Sequence, residues 1–283
     1  MTIIADSGST KTSWADTGTE TKTITEGLNP LFTTDETFLN ACREVRQQFK
    51  CQEAETSVIF YGAGCGNTKQ RNRTKKLLQE AFSTDDVTVE TDMLGACRAT
   101  AGNEAGIVAI LGTGSNTCYY DGKTIRHKLF SMGYILGDEG SANHLGALLL
   151  RRFLSDNMPT HLSDLFEKKA GLTKEQMLEK LYCGPNPNRW LASLAPFATE
   201  NKKDDFCDEL IRMNIDHWIA EQVDPLYEKS HCKKLFVVGG FANATKTILK
   251  EQLSDRGYME ASYSLKKVVA NPIDNLVKYH SQT

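Results

Sequence analysis

The chain lacks any apolar stretch long enough to cross a bilayer. Its longest runs, Gly106–Gly112 and Leu145–Leu150, fall far short of the roughly 20 residues that a membrane span needs. It also lacks an excess of either charge: 33 basic side chains face 36 acidic ones, a formal net charge of −3. That balance excludes the strongly basic footprint of a nucleic-acid binder and offers no polybasic stretch to an anionic membrane. Cysteines are present but unpatterned. Cys42, Cys51, Cys65, Cys97, Cys118, Cys183, Cys207 and Cys232 form no C-x-x-C pair, so neither a zinc site nor a disulfide framework is expected. No basic segment leads into an apolar one at the N-terminus, so no signal peptide is expected. The cysteines then read as reduced thiols of a cytoplasmic protein.

What the chain does have is an alternation of strand-like and helix-like segments. At roughly 100–200 residues per domain, 283 residues suggest two domains. Small residues cluster at Thr100–Ala105, which sets them at 1–100 and 101–283. Thr2–Ala5 is an apolar run closed by Asp6. A Ser7-Gly8-Ser9-Thr10 turn follows, Lys11–Ala15 returns, and Thr19–Thr25 makes a third strand, the pattern of strand, glycine-containing turn, strand. Thr34–Phe49 carries Phe38, Cys42, Val45 and Phe49 at helical spacing. Strands Ser57–Tyr61 and Val87–Glu90 alternate with helices Asn67–Phe82 and Met93–Thr100. The opening pattern then returns as Gly106–Leu111, the turn Gly112-Thr113-Gly114-Ser115, and Asn116–Tyr120, the turns aligning as Asp6-Ser7-Gly8-Ser9 with Gly112-Thr113-Gly114-Ser115. Helices Ser141–Phe153, Leu162–Lys168, Lys174–Leu181, Arg189–Ala195 and Asp204–Tyr227 follow. A late strand, Lys234–Val238, breaks at Gly239-Gly240 before helix Ala244–Leu253. The class is α/β with a mixed sheet in each half.

Several of these segments have chemical potential. The turn Asp6-Ser7-Gly8-Ser9-Thr10-Lys11-Thr12 combines bare backbone N–H groups, hydroxyls and a lysine, a set that suits a phosphate chain, although the P-loop spacing is absent. Read alone it is first an ordinary hairpin turn with a solvated lysine. A second turn of the same character, Gly112-Thr113-Gly114-Ser115-Asn116-Thr117, puts phosphate binding from two sides on a par with the hairpin-turn reading. Asp92 stands between a strand and a helix, where a carboxylate either accepts a proton from a substrate hydroxyl or caps the helix. Gly137-Asp138-Glu139-Gly140-Ser141 is a second acidic, glycine-flanked cluster before a helix. With Asn29 or Asn116 it offers the convergent acceptors that a polar ligand needs; its bland reading is capping by Asp138 or Ser141. His144, one turn further, reads as structural. Gly239-Gly240 either lets an adenine or ribose lie against the backbone or makes a tight strand-to-helix turn.

In order along the chain, these segments resemble the phosphate-1, connect-1, phosphate-2 and adenosine motifs of the actin/hexokinase/Hsp70 superfamily. They are Asp6-x-Gly8-x-Thr10-Lys11-Thr12 after a strand, Asp92, Gly112-Thr113-Gly114-Ser115 and Gly239-Gly240. Gly112-Thr113-Gly114-Ser115-Asn116 followed by Gly137-Asp138-Glu139-Gly140-Ser141, with Gly27-Leu28-Asn29-Pro30 upstream, resembles N-acetylglucosamine kinases and the BadF/BadG-type ATPase family that contains them. The resemblance implies a two-domain actin-like ATPase fold of the ribonuclease H-like type, with duplicated mixed-sheet domains around a nucleotide cleft. It implies ATP and Mg²⁺ as cofactors and phosphorylation of an amino sugar, N-acetylglucosamine first, on its 6-hydroxyl. Asp92 becomes the general base and Asp6 the Mg²⁺ ligand. Gly8, Ser9, Thr10, Lys11, Thr12, Gly112, Thr113 and Gly114 lie near the phosphates, and Gly239 and Gly240 border the adenosine. Asn29, Ser115, Asn116, Asp138 and Glu139 touch the sugar. The partner is that small molecule, and a homodimer is the family's tendency.

The C-terminal segment Asn271–Lys278 is bulkier and more polar than the Gly/Ala-rich helix expected there. Two other activities are built on related chains. One is an ATPase that activates a redox enzyme through an iron–sulfur cluster at a dimer seam, for which Cys65 and Cys97 are the candidates. The other is a non-catalytic sugar sensor, usually with a helix-turn-helix before the first strand; here the strand begins at Thr2.

Overall fold

The structure is a computed structural model that describes residues 1–19, 21–52, 55–255 and 263–281; Glu20, within the expected Thr19–Thr25 strand, lies outside them. The chain divides into two compact units. The first is Met1–Glu104 with Gly122–Thr124 and Asn271–Thr283; the second is Ala105–Asp121 with Ile125–Ala270.

In the first unit, β1 (Thr2–Ser7), β2 (Lys11–Asp16), β3 (Lys22–Glu26), β4 (Ser57–Gly62) and β5 (Val87–Thr91) form a sheet in the order β3-β2-β1-β4-β5. The first three strands make an antiparallel meander, while β1, β4 and β5 run parallel. Successive side chains of a strand face opposite sides, which explains the unbroken apolar run of β1. Ile3 and Ala5 join Trp14, Phe38, Val45, Phe60 and Leu78 beneath helices Asp35–Gln48 and Thr68–Phe82. Ile4 faces the other side, with Ala15, Tyr61, Ala99, Ile273 and Leu276. Ile273 and Leu276 belong to the C-terminal helix Ile273–Ser281. That helix therefore packs with the first unit, although the sequence reading assigned all of 101–283 to the second domain.

The second unit repeats the plan. β6 (Gly106–Leu111), β7 (Ser115–Tyr120), β8 (Ile125–Lys128), β9 (Lys234–Val238) and β10 (Ser264–Val269) are ordered β10-β9-β6-β7-β8. Again there is an antiparallel meander with two parallel strands added beside its first member. One face of β6, carrying Ile107, Ala109 and Leu111, sinks into a large cluster with Leu145, Leu149, Phe197, Ile211, Ile215 and Trp218.

The two strands absent from the sequence reading, β8 and β10, are both sheet edges. Arg126, His127 and Lys128 in one, and Lys266 and Lys267 in the other, hide the apolar alternation, as edge strands commonly do. Helix Pro187–Glu200 continues through Pro196, past the expected stop at Ala195, and so buries Phe197 and Ala198. The expected single helix Asp204–Tyr227 is instead Asp205–Trp218, a π-helical turn Ile219–Val223, and Asp224–Ser230. Pro225 supplies the reason. It has no N–H, and its ring collides with the carbonyl four residues back. The Asp224 N–H bonds Ile219 O instead, the five-residue spacing of a π-helix.

Candidate active site

In open α/β sheets, ligands bind beyond the carboxyl ends of parallel strands. In the first unit those ends deliver Asp6 and the turn after β1, the glycine-rich loop Gly62-Ala63-Gly64-Cys65-Gly66 after β4, and Asp92 after β5.

The first turn spans Gly8, Ser9, Thr10 and Lys11 between the paired residues Ser7 and Thr12, closed by Gly8 N–H donating to Lys11 O at 3.0 Å. Its equivalent in the second unit spans Gly112, Thr113 and Gly114 between Leu111 and Ser115, closed by Gly112 N–H to Gly114 O at 3.0 Å. The strand register therefore matches Gly8 with Gly112, two places on from the Asp6-to-Gly112 alignment of the sequence reading. Thr12, expected beside phosphate, is fully buried. Its hydroxyl lies 2.9 Å from Ser7 Oγ, donates to Glu26 O at 3.0 Å and accepts from Leu28 N–H at 3.2 Å. It ties the turn to the next loop rather than facing a ligand. Gly8 and Ser9 are partly exposed, and Thr10 and Lys11 are exposed.

The expected sugar loop lies directly on this turn, with Gly27 N–H donating to Thr10 O at 3.1 Å. Asn29 is buried, its Nδ2 3.5 Å from Ser9 Oγ and its Oδ1 accepting from Leu31 N–H at 3.0 Å. Gly64, in the loop after β4, adopts φ +83°, and a Cβ there would stand 2.2 Å from Asn29 Oδ1. Sequence reasoning missed this loop, although three glycines in five residues after an apolar strand signal a close backbone approach. It also missed Arg73, which holds the following segment through Pro30 O, Thr33 O at 2.9 Å and Asp35 Oδ1 at 2.7 Å.

Asp92 is the first residue of helix Asp92–Thr100. The cap is Thr91, whose side chain accepts from Leu94 N–H at 3.2 Å, so capping does not explain Asp92. Its Oδ1 accepts from Met93 N–H at 2.8 Å. Burial pushes the Asp6 carboxyl up to about 7; the charge of Asp92 adds to that rise, and Lys11 opposes it. Two carboxylates that destabilise each other's charge are the kind of oxygen donors that a hard divalent cation takes. No cluster of three or more metal-ligating side chains stands among the described residues.

In the second unit, the Gly112–Gly114 turn meets the Gly137–Ser141 segment. Ala142 and Asn143, at the start of helix Ala142–Leu154, donate their N–H groups to Gly112 O and Thr113 O at 2.9 and 3.0 Å. Asp138, at φ +65°, accepts from Ser115 N–H at 3.2 Å on Oδ1 and from Asn143 Nδ2 at 2.8 Å on Oδ2. A Cβ on Gly114 would stand 2.7 Å from that Oδ2. Asp138 thus braces the turn. Its pKa is raised by burial and by Glu139, against the hydrogen bonds from Asn143 and Ser115. The helix cap is Ser141, accepting from His144 N–H at 3.3 Å. Glu139 Oε2 and Ser115 Oγ share Gln222 Nε2, at 3.0 and 2.9 Å; Gln222 has no local sequence signal. Asn116 lies on β7 opposite Ile110, partly exposed. His144 is structural, as expected: Asn214 Oδ1 accepts from Gly140 N–H at 3.0 Å, so His144 Nδ1, 2.6 Å away, is a donor to it. Gly239 has φ +133°, and a Cβ there would collide with Leu111 O at 2.1 Å. The glycine pair therefore abuts the second turn, and Gly240 is exposed beside it.

All eight cysteines are free thiols. Cys65 and Cys97, the candidates for a cluster at a dimer seam, are fully buried, and burial pushes the Cys65 thiol up to about 11.

The BadF/BadG/BcrA/BcrD ATPase family matches the chain over residues 5–264. The structure of a candidate N-acetylglucosamine kinase from Porphyromonas gingivalis is similar over 100% of this chain and 99% of that one, at 34% identity and a TM-score of 0.92. A candidate N-acetylglucosamine kinase from Chromobacterium violaceum is similar in fold at 20% identity and TM-score 0.71, with 98% of each chain covered. A ROK family glucokinase from Streptomyces griseus, solved with glucose and AMPPNP, shares the fold at 15% identity and TM-score 0.59, over 100% of this chain and 98% of that one. No curated protein matches the chain. Both five-stranded sheets, with their shared strand order, are those of a two-domain actin-like fold.

Proposed function

From a chain that belongs to the BadF/BadG/BcrA/BcrD ATPase family, we propose an ATP-dependent sugar kinase of the cytoplasm whose acceptor is an amino sugar, N-acetylglucosamine before others, phosphorylated on its 6-hydroxyl. The observation that carries this reading is the arrangement at the carboxyl edge of the first sheet. The phosphate turn, the Asn29 loop packed on it and the electrostatically coupled Asp6 and Asp92 belong to one unit. The 34% identical candidate N-acetylglucosamine kinase supports the choice of sugar.

Asp92 takes the proton from the attacking hydroxyl, which it can do because Thr91 relieves it of capping. Gly8, Ser9, Thr10 and Lys11 approach the β- and γ-phosphates, the N–H groups and the lysine neutralising charge that spreads over the transferred group. Asn29 orients the acceptor. In the second unit, Thr113 and Gly114 approach the phosphates, Gly239 and Gly240 leave room for the adenosine, and Ser115, Asn116 and Glu139 hydrogen-bond the sugar. Asp138 keeps that turn in shape through Ser115 and Asn143. Asp6 would hold Mg²⁺, which would supply neutralisation of the phosphate charge.

The test is ADP release from MgATP by the purified protein, one sugar at a time, with a sugar-free control. ADP formed only with N-acetylglucosamine or a close relative is the expected result. ADP formed equally without sugar would overturn the kinase reading in favour of an ATPase.

A further inference from the structure

One polar chain in the second unit joins the motifs at 112–117 and 137–141 through two residues outside them, Trp218 and Gln222. Trp218, fully buried, donates its Nε1–H to Thr117 Oγ1 at 3.0 Å. Thr117 in turn donates to Gln222 Oε1 at 2.8 Å. That fixes the orientation of the Gln222 amide, whose Nε2 must then point the other way. There it donates to Ser115 Oγ at 2.9 Å and to Glu139 Oε2 at 3.0 Å. The chain runs in one direction and ends on a carboxylate oxygen. Among the described residues Glu139 Oε1 accepts from no protein donor, whereas both oxygens of the neighbouring Asp138 are engaged by Ser115 and Asn143. Gln222 sits on the π-helical turn Ile219–Val223, a conformation that is rare and recurs at functional sites. The turn sets Gln222 against β7 while Trp218 stays in the core.

We infer that Gln222 is a positioning residue: it holds the Glu139 carboxylate so that Oε1 faces outward as an acceptor for a sugar hydroxyl, and so sets the affinity of this unit for the sugar. This rests on the sugar-kinase reading above. A hydrogen bond to a carboxylate is stronger than one between neutral groups because the full charge adds to the attraction, so the amide resists rotation of the carboxylate it holds.

The experiment compares wild type, Gln222→Met and an exchange variant that combines Gln222→Glu with Glu139→Gln. Each is measured for sugar binding by calorimetry, for KM of sugar and of ATP, for kcat and for Tm. Gln222→Met keeps the side-chain length and removes both hydrogen-bonding ends. It is expected to raise the sugar Kd and KM about ten- to a hundredfold, with ATP KM unmoved and kcat changed far less. In the exchange variant, the new amide at position 139 donates to the new carboxylate at position 222. Thr117 and Ser115 donate to that carboxylate as well, so the network closes again with roles reversed. Its Tm is expected to return close to wild type while sugar affinity stays weak, because the carboxylate has left position 139. Recovery of sugar affinity together with Tm would show that Gln222 only supports the fold and would overturn the inference. Unchanged sugar affinity in Gln222→Met would overturn it too. A wild-type protein that neither binds nor phosphorylates any sugar would instead remove the kinase reading itself, and this inference with it.

Discussion

Gly64→Ala probes the contact that places Asn29. The substitution forces a β-carbon onto a residue with φ +83° and sets it 2.2 Å from Asn29 Oδ1, 3.0 Å from Asn29 Cγ and 3.2 Å from Pro30 Cδ. The left-handed backbone alone costs roughly 1–2 kcal/mol for a residue with a side chain. Asn29 must also move, giving up the Leu31 N–H bond at 3.0 Å; a buried amide left without its partner costs roughly 1–3 kcal/mol. Together the loss is about 2–5 kcal/mol. Made in an Asn29→Ala background, the same change no longer meets an amide oxygen. Only the backbone part, about 1–2 kcal/mol, should remain. Urea unfolding of wild type, both single variants and the double variant gives the coupling directly. The expected result is a double variant less destabilised than the sum of the singles by about 1–3 kcal/mol. Sugar KM should rise in Gly64→Ala, with ATP KM little changed. Additivity within about 0.5 kcal/mol, the behaviour of independent sites, would refute the contact and the placement of Asn29 that depends on it.

Three further outcomes follow from the same geometry. Thr12→Val should cost about 1–3 kcal/mol of stability, because Leu28 N–H and Glu26 O lose a buried partner, yet leave the KM for ATP within about twofold; a large rise in that KM would return Thr12 to the phosphates. Arg73→Met releases the segment after Asn29 at Pro30, Thr33 and Asp35 and should weaken sugar KM more than ATP KM, read from steady-state kinetics. Asp6 has a folded-state pKa of about 7 against an ordinary 3.8. The native state therefore binds the extra proton between those values, and stability without Mg²⁺ should fall as pH rises from about 4 to about 7. Asp6→Asn should flatten that slope in thermal melts across the window, and saturating MgATP should reduce it in wild type by favouring the ionised carboxylate.

Much of the site was legible in local patterns because backbone geometry is encoded locally. A strand followed by a glycine-hydroxyl turn marks the two turns proposed to meet phosphate, and a carboxylate after a strand marks Asp92. The structure keeps each of these at a carboxyl edge of its sheet. What escaped depends on distant partners. Thr12 looks like a phosphate ligand until Glu26 and Leu28 are seen to use its hydroxyl. Asp138 looks free until Ser115, from another strand, occupies it. Gln222 acquires meaning only from Thr117, Ser115 and Glu139, which lie far away along the chain. The loop holding Gly64 was readable in principle from its glycines, and the π-helical turn from Pro225, but both were submerged in otherwise regular patterns. The edge strands β8 and β10 escaped for the opposite reason: their charges protect an exposed edge and erase the alternation that marks a strand.

The most direct test of the proposed chemistry is single-turnover formation of sugar phosphate by Asp92→Asn beside wild type, with ATP and sugar binding measured on the same samples. The rate should fall by about a hundredfold to ten-thousandfold, the usual contribution of a general base, while both ligands bind within a few-fold of wild type. Turnover within tenfold of wild type, with binding intact, would contradict the assignment of Asp92 as the base and the mechanism built on it.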